Sequence, residues 1–149
     1  KELELMNKFD NKVGLFKIRP GMDVSELRFY EKNGYKGIVL EGTGLGHAPV
    51  TVLDKETKHH KDILDELRSM CKKMIVVMAT QCIYGHVNMN VYATGRDLLE
   101  AGVVPANMLA EAAYVKLGWA LGNSKGIKEA KELFLKNVAG EISERLMPE

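Results

Sequence analysis

The protein has 149 residues, of which 46% are hydrophobic and 28% are charged, a globular composition that argues against disorder. This length predicts a single domain over residues 1–149, with enough core to fold without disulfides or a metal. The 21 basic and 20 acidic residues leave a net charge of +1, which disfavours a strongly basic nucleic-acid-binding or membrane-surface protein.

Stretches of strand-like sequence alternate with helical patterns along the chain. Four stretches predict strands, over residues 13–19, 35–40, 74–79 and 103–104. The apolar spacing predicts five helices. The first is capped by Asp23 and ended by Asn33-Gly34, and the third is capped by Thr94 with Asp97 and ended by Gly102. The other three lie over residues 54–73, 107–121 and 125–142. This order predicts an α/β fold, a small Rossmann-like three-layer sandwich with about four parallel strands.

The sequence predicts neither a membrane-spanning helix nor a signal peptide. No apolar run approaches the roughly 20 residues that a membrane-spanning helix needs, and the first residues are charged, unlike a signal peptide. The two cysteines, Cys71 and Cys82, favour a reducing cytosol, so we predict a cytoplasmic protein with no membrane partner. Because the chain starts at Lys1 without an initiator methionine, we expect it to be a piece of a longer protein.

Two loops follow the predicted strands at the edge where parallel sheets bind ligands. The first, over residues 41–49, reads EGTGLGHAP, and its glycines permit close approach of the backbone to a ligand. His47 stands where a dinucleotide fingerprint needs its third glycine, and no Lys-Ser/Thr pair follows as in a P-loop, so no nucleotide cofactor is predicted. The alternative is that this loop is only a mobile connection between a strand and a helix.

No pattern in the chain predicts catalysis or a metal site. The four histidines form no pair four residues apart, and no paired Cys-x-x-Cys is present. Cys82 has no recognisable base beside it, which favours a half-buried structural thiol, and no Gly-x-Ser-x-Gly elbow occurs. The loop over residues 80–92 is instead rich in amides and phenols. These groups suit recognition of an amide or amino acid, unless they only hold the loop together.

Three separated motifs resemble the smaller, carboxyl-terminal domain of the asparaginase/glutaminase family. They are Pro20-Gly21, KGIVLEGTGLGHAP at residues 36–49, and TQCIYG at residues 80–85 with VNMNVYATGR at residues 87–96. The similarity continues at residues 112–122 and 137–142, so it covers residues 13–142. Gly46-His47 is most similar to the archaeal branch of the family that forms the D subunit of Glu-tRNA(Gln) amidotransferase, although Ala48 stands where Thr is commoner.

The resemblance implies a two-domain glutaminase in which a larger amino-terminal catalytic domain supplies a threonine nucleophile. Glutamine hydrolysis would release ammonia to an ATP-dependent, tRNA-binding amidotransferase subunit, which converts Glu-tRNA(Gln) to Gln-tRNA(Gln). The Thr-Gly-Gly-Thr and Thr-Asp signatures of that catalytic domain are absent from this sequence. We therefore assign no catalytic residue and no cofactor, and expect this chain to be inactive alone.

The resemblance also implies a homodimer in which loops of this domain approach the active site of the partner protomer. On that basis we place Thr43, His47, Tyr84 and Asn88 at the rim of the substrate pocket. Two alternatives remain open. The chain is the same domain of a cytoplasmic L-asparaginase, with asparagine as substrate, or it is a stand-alone amino-acid-binding regulatory domain.

Overall fold

Four short strands lie side by side at the centre of the structure, a computed structural model that describes residues 5–143. The strands are β1 (Val13–Lys17), β2 (Gly37–Gly42), β3 (Ile75–Thr80) and β4 (Val104–Pro105). They pair in the order β1-β2-β3-β4, and every pair is parallel. The predicted four-stranded parallel sheet is confirmed, with strand ends that differ from the predicted ones by at most two residues.

Helices cover both faces of this sheet. The helices are α1 (Val24–Lys32), α2 (His60–Met70), α3 (Ala93–Ala101), α4 (Ala110–Gly122) and α5 (Ile127–Leu135). The first three pack their apolar residues against one face, and α4 and α5 pack against the other. The α/β three-layer prediction is therefore confirmed.

Alternation along the strands divides the core in two. Ile38 and Leu40 of β2 pack toward α1, α2 and α3, whereas Val39 between them packs toward α4. All three side chains are fully buried. Successive residues of a strand point to opposite faces, so a strand covered on both sides is apolar throughout. This explains the unbroken apolar runs that predicted β2 and β3.

The predicted capping residue of α1 is confirmed. Asp23 Oδ1 accepts a 2.8 Å hydrogen bond from the Ser25 amide, and Glu26 Oε1 accepts one of 2.8 Å from the Asp23 amide. These bonds satisfy amides that the first turn of a helix leaves unpaired. At the other end, Asn33 caps the helix and Gly34 adopts a positive φ of 69°.

Two helix starts differ from the predictions. Helix α2 begins at His60 instead of residue 54, because Asp54 and Thr57 form a local turn in which Asp54 Oδ1 accepts from the Thr57 amide at 3.0 Å. Such side-chain bonds to nearby backbone compete with the helix. The predicted cap at Thr94 is wrong: the amides of Gly95 and Arg96 both donate to the Tyr92 carbonyl, so Thr94 already lies inside the first turn of α3.

The carboxyl-terminal elements are shorter than predicted. Helix α4 starts at Ala110 instead of residue 107, because the side chain of Asn107 bonds the Val87 amide and the Ser143 carbonyl. Helix α5 stops at Leu135 instead of near residue 142. Beyond it, the Glu141 carboxylate accepts from the Val138 and Ala139 amides and holds them in an irregular turn. No helix within residues 5–143 is both long and apolar enough to cross a bilayer.

Candidate functional site

The carboxyl ends of β1, β2 and β3 are joined by the side chain of Gln81. Its amide Nε2 donates to the Ile18 carbonyl at 2.5 Å and to the Glu41 carbonyl at 2.7 Å. Its backbone amide donates to the Gly42 carbonyl at 2.9 Å. Gln81 therefore fixes the edge of the sheet from which the two functional loops leave.

The first loop closes into a tight turn between Thr43 and His47. The Thr43 amide donates to the His47 carbonyl at 3.0 Å, and the His47 amide donates back to the Thr43 carbonyl at 2.9 Å. Gly44 and Gly46 within the turn have φ values of 51° and 97°, a region that side chains disfavour. The glycines predicted for close backbone approach thus build a compact turn.

The second loop packs against this turn. The Asn88 amide donates to the Leu45 carbonyl at 2.9 Å, and a β-carbon added to Gly46 would lie 3.0 Å from Val87. The ring of Tyr92 meets the ring of His47 edge to face, with 5.3 Å between centroids. The two loops therefore form one surface that contains His47 and Asn88.

His47 carries an unsatisfied polar atom. Its ring is half-buried, and Nε2 is buried without a hydrogen-bond partner among the described residues. A buried polar atom without a partner costs free energy, so it is rare in native proteins and points to a missing group. The imidazole of His47 therefore has one hydrogen-bonding atom that no group in the described part of the chain uses.

Two cavities flank the loop pair. One, of about 390 Å³, lies at the ends of β1 and β2 and is lined by Arg19, Thr43 and His60 among others. Arg19 there pairs with Glu26 at 2.6 Å. The Asp23 amide, and then the Arg19 guanidinium, lower the pKa of Glu26 below its ordinary value. The other cavity, of about 280 Å³, lies at the end of β3 beside Cys82 and Met108.

The hydroxyl groups at this edge are not arranged as nucleophiles. Thr80 Oγ1 donates to the Gly44 carbonyl at 2.6 Å, and Thr43 Oγ1 makes a long contact of 3.4 Å to the His47 carbonyl. An activated hydroxyl needs a base within hydrogen-bond reach, and these two face carbonyl oxygens instead. Residues 5–143 also contain no cluster of three metal-binding side chains.

Residues 12–134 match the model of one protein family, the Glutaminase/Asparaginase C-terminal domain. The chain belongs to this family. The resemblance inferred from the three motifs is confirmed, and the loop surface described above is the sheet edge of a glutaminase/asparaginase C-terminal domain.

Similar relatives include two proteins that are each named as the D subunit of glutamyl-tRNA(Gln) amidotransferase. The protein from Thermococcus kodakarensis is 47% identical over 144 residues, which are 95% of this chain and 30% of the relative. That from Methanococcus maripaludis is 49% identical over 147 residues, 98% of this chain and 32% of the relative. The chain thus spans under a third of the length of these relatives.

Solved structures of asparaginases share the fold. The thermostable L-asparaginase from Thermococcus kodakarensis superposes with a TM-score of 0.79 at 35% identity, over 93% of this chain and 40% of that one. L-asparaginase I from Vibrio cholerae gives the same TM-score at 28% identity, over 96% of this chain and 41% of that one.

The four residues predicted for the pocket rim are only partly brought together in this glutaminase/asparaginase C-terminal domain. Thr43, His47 and Asn88 lie on the paired loops. Tyr84 lies on a separate turn, closed by the Gly85 amide donating to the Cys82 carbonyl, and is 94% exposed. Among residues 5–143, no hydrogen bond or ring contact joins Tyr84 to the other three. The role of all four at a pocket rim stays a prediction.

Sequence reasoning missed part of this arrangement. Gln81 was recognised only as part of a motif, because its partners Ile18 and Glu41 lie 63 and 40 residues away in the chain. Tyr92 was counted only among the phenols of the polar loop, without its contact to His47. The prediction that Cys82 is half-buried is wrong, since it is exposed on the turn after β3.

Proposed function

We propose that this chain is the carboxyl-terminal domain of the D subunit of a Glu-tRNA(Gln) amidotransferase, a cytoplasmic protein of archaeal type. The whole protein would hydrolyse glutamine and supply ammonia for converting Glu-tRNA(Gln) to Gln-tRNA(Gln). The observation that carries this proposal is the identity of 47% and 49% with two such D subunits over at least 95% of this chain. Identity with the two asparaginases of known structure is lower, at 35% and 28%.

The division of labour is part of the proposal. The threonine nucleophile belongs to an amino-terminal domain that precedes this chain in the same polypeptide, and a separate ATP-dependent subunit binds the tRNA. The hydroxyls of Thr43 and Thr80 support this division, because both are directed at main-chain carbonyls and neither is hydrogen-bonded to a basic side chain among residues 5–143. This domain then contributes recognition surface.

The site of that surface is the paired loops. In a homodimer of the whole protein, Thr43, His47 and Asn88 would form the rim of the partner protomer's substrate pocket, with Tyr84 reaching it from its own exposed turn. The unpaired His47 Nε2 supports this, since a movement of the loops against a second protomer would open this buried atom to an incoming amide or carboxylate. The neighbouring Tyr92 ring fixes the orientation of the imidazole.

The test uses the full-length polypeptide that carries this domain, together with its amidotransferase partner. Glutamine hydrolysis is measured with and without Glu-tRNA(Gln), and asparagine hydrolysis is measured in parallel. The proposal expects glutamine turnover that rises when the tRNA is added. The 149-residue chain alone serves as the control and should release no ammonia. Amide hydrolysis by that chain, abolished by changing one of its own side chains, would contradict the proposal.

A second candidate is the carboxyl-terminal domain of an L-asparaginase, which the structural similarity to two L-asparaginases favours. The same assay separates the two candidates. Turnover of free asparagine by the full-length polypeptide, with no response to tRNA, would support the asparaginase and exclude the amidotransferase.

A further inference from the structure

An apolar groove runs along the outer side of α4, from the cavity at the end of β3 to Trp119. We call it the α4 groove, and its walls are Leu109, Ala112, Val115 and Trp119 on one side and Val138 and Ala139 on the other. Two adjoining cavities of about 340 and 280 Å³ form it, and both are lined by Ala112 and Glu141. The groove is therefore continuous past the middle of the helix.

The outer side of helix α4 carries apolar side chains that are partly exposed in the described part of the chain. Its inner face places Ala113, Leu117 and Ala120 in the core with no exposed surface. On the outer side, Val115 is 57% exposed and Leu109, which precedes the first turn, is 54% exposed. Contiguous exposed apolar surface on a helix marks an interaction site. The outer side of α4 is thus built for contact with another surface.

The charged residue at the floor of the groove is neutralised. Lys116 Nζ contacts the Glu141 carboxylate and donates to the Lys136 carbonyl at 2.5 Å. The lysine side chain is 5% exposed, and burial lowers its pKa below the ordinary value. Because its charge is paired and its donors are used, the floor offers no free charge to a partner. The partner surface should therefore be apolar.

The incoming polypeptide reaches α4 at this groove. Trp119, one of the groove walls, donates from its indole Nε1 to the Met6 carbonyl at 2.9 Å. Four residues later, the Asp10 amide donates to the Gly118 carbonyl at 2.9 Å. Gly118 allows this approach, since a β-carbon there would lie 2.2 Å from the Phe9 ring. The segment from Met6 to Asp10 is therefore held against α4, with Met6 beside Trp119.

From these observations we propose that the α4 groove is the docking surface for the amino-terminal part of the same polypeptide. This inference rests on the proposed function, in which a larger domain precedes this chain. Relatives extend well beyond it, since it spans 30% and 32% of two of them. A domain tethered at Trp119 is present at high effective concentration beside the groove, so even a modest apolar contact forms.

The test measures side-chain accessibility in the full-length polypeptide. Val115→Cys is introduced after Cys71 and Cys82 have been changed to serine, and its reaction rate with a maleimide is measured relative to the rate in denaturant. Leu53→Cys is the matched control, since Leu53 is an aliphatic residue that is 79% exposed on the segment before α2. We expect the groove cysteine to be protected at least about tenfold and the control cysteine to react nearly as fast as in denaturant. Protein concentration is varied across the range in which the polypeptide dissociates into monomers.

Each outcome decides the proposal. Protection of the Val115 position that persists in the monomer supports docking within one polypeptide. Protection that disappears on dissociation means that a second copy of the polypeptide covers the groove. Rapid labelling at all protein concentrations means that no surface covers the groove. Either of these two results overturns the proposal. Hydrolysis of glutamine with and without tRNA is measured on the same preparation. An active, tRNA-responsive protein with an open groove overturns the docking surface alone, whereas a protected groove without glutaminase activity overturns the proposed function alone.

Discussion

The side-chain amide of Gln81 donates to the carbonyl of Ile18, joining the end of β3 to the end of β1 across the strand between them. The same nitrogen serves Glu41 at the end of β2. The Ile18 carbonyl lies beyond the end of β1 and has this amide as its donor, whereas the Glu41 carbonyl also accepts from the Ile18 amide at 3.0 Å. One side chain therefore links the strand ends from which both loops leave.

Replacing Gln81 with leucine should destabilise the fold. The change keeps an apolar body of similar length but leaves the Ile18 carbonyl without its donor in a part-buried position. Loss of such a donor costs about 1–3 kcal/mol of unfolding free energy. Chemical denaturation of the 149-residue chain measures this loss.

Asn90→Leu is the control, because the Asn90 side chain is exposed and makes no hydrogen bond in the described part of the chain. This change should shift the free energy of unfolding by less than about 0.5 kcal/mol. Equal effects of the two changes would contradict the role of Gln81.

Gly95 of α3 should not tolerate alanine, although alanine is the better helix former. A β-carbon there would lie 2.3 Å from the Met89 carbonyl oxygen, on the loop that packs against the glycine turn. The intrinsic gain is about 1 kcal/mol, whereas forcing a backbone carbonyl aside costs more, so we expect a net loss of about 1–3 kcal/mol.

The control for this change is Gly126→Ala, where an added β-carbon meets nothing within 4 Å. Alanine is a poorer N-cap than glycine, which lowers stability, but it also reduces the conformational entropy of the unfolded chain, which raises stability. Because these two effects oppose each other, the free energy of unfolding should change by less than about 1 kcal/mol. Thermal unfolding of both variants decides the matter. If Gly95→Ala were as stable as the original chain, the close contact with Met89 would be wrong.

The two cysteines should differ in reactivity. Burial raises the pKa of the Cys71 thiol from 9.0 to about 11, so this thiol stays protonated near neutral pH, whereas Cys82 is exposed. The thiolate is the reactive form. A maleimide should therefore modify one cysteine per folded chain quickly, and Cys82→Ser should abolish that fast phase while Cys71→Ser leaves it. Two fast equivalents in the folded chain would contradict the burial of Cys71.

The same shift makes stability depend on pH in the alkaline range. Between pH 9.0 and about 11 the unfolded chain loses the Cys71 proton while the folded chain keeps it. Ionisation therefore favours the unfolded chain, and stability should fall as pH rises through this window. Cys71→Ala removes the titrating group and should reduce the slope. Denaturation midpoints measured at several pH values for both chains test this, and an unchanged slope would show that Cys71 does not titrate as stated.

How far the sequence predicts this fold depends on the range of the interactions involved. The sheet and the cap of α1 rest on local patterns, and both were predicted. The late start of α2 depends on a bond between Asp54 and Thr57 that competes with helix, and propensity does not decide such a competition. The early end of α5 depends on Glu141, which is held by Lys116 from 25 residues earlier. No local pattern reports that pair.

The same division holds at the candidate site. The two loops were located from their composition and from the rule that ligands bind at strand ends. Their packing against each other was not predictable, since the contact of Asn88 with Leu45 and that of Tyr92 with His47 join segments separated by a helix and a strand. The resemblance to a family named four rim residues. It carried no information on which of them lie on the same loop pair.

His47→Phe separates a structural role for the imidazole from a binding role. Phenylalanine fills the same space against Tyr92 and removes the buried, unpaired Nε2, so the 149-residue chain should be as stable as before or slightly more stable. In the full-length polypeptide, loss of one hydrogen bond to substrate should lower kcat/KM for glutamine about tenfold. His86→Phe is the matched control, since His86 is a half-buried histidine of the neighbouring loop without a side-chain hydrogen bond among residues 5–143, and its kcat/KM should stay within about twofold of the original. Should His47→Phe destabilise the chain while leaving kcat/KM unchanged, the imidazole would be a packing residue and the rim assignment would be wrong.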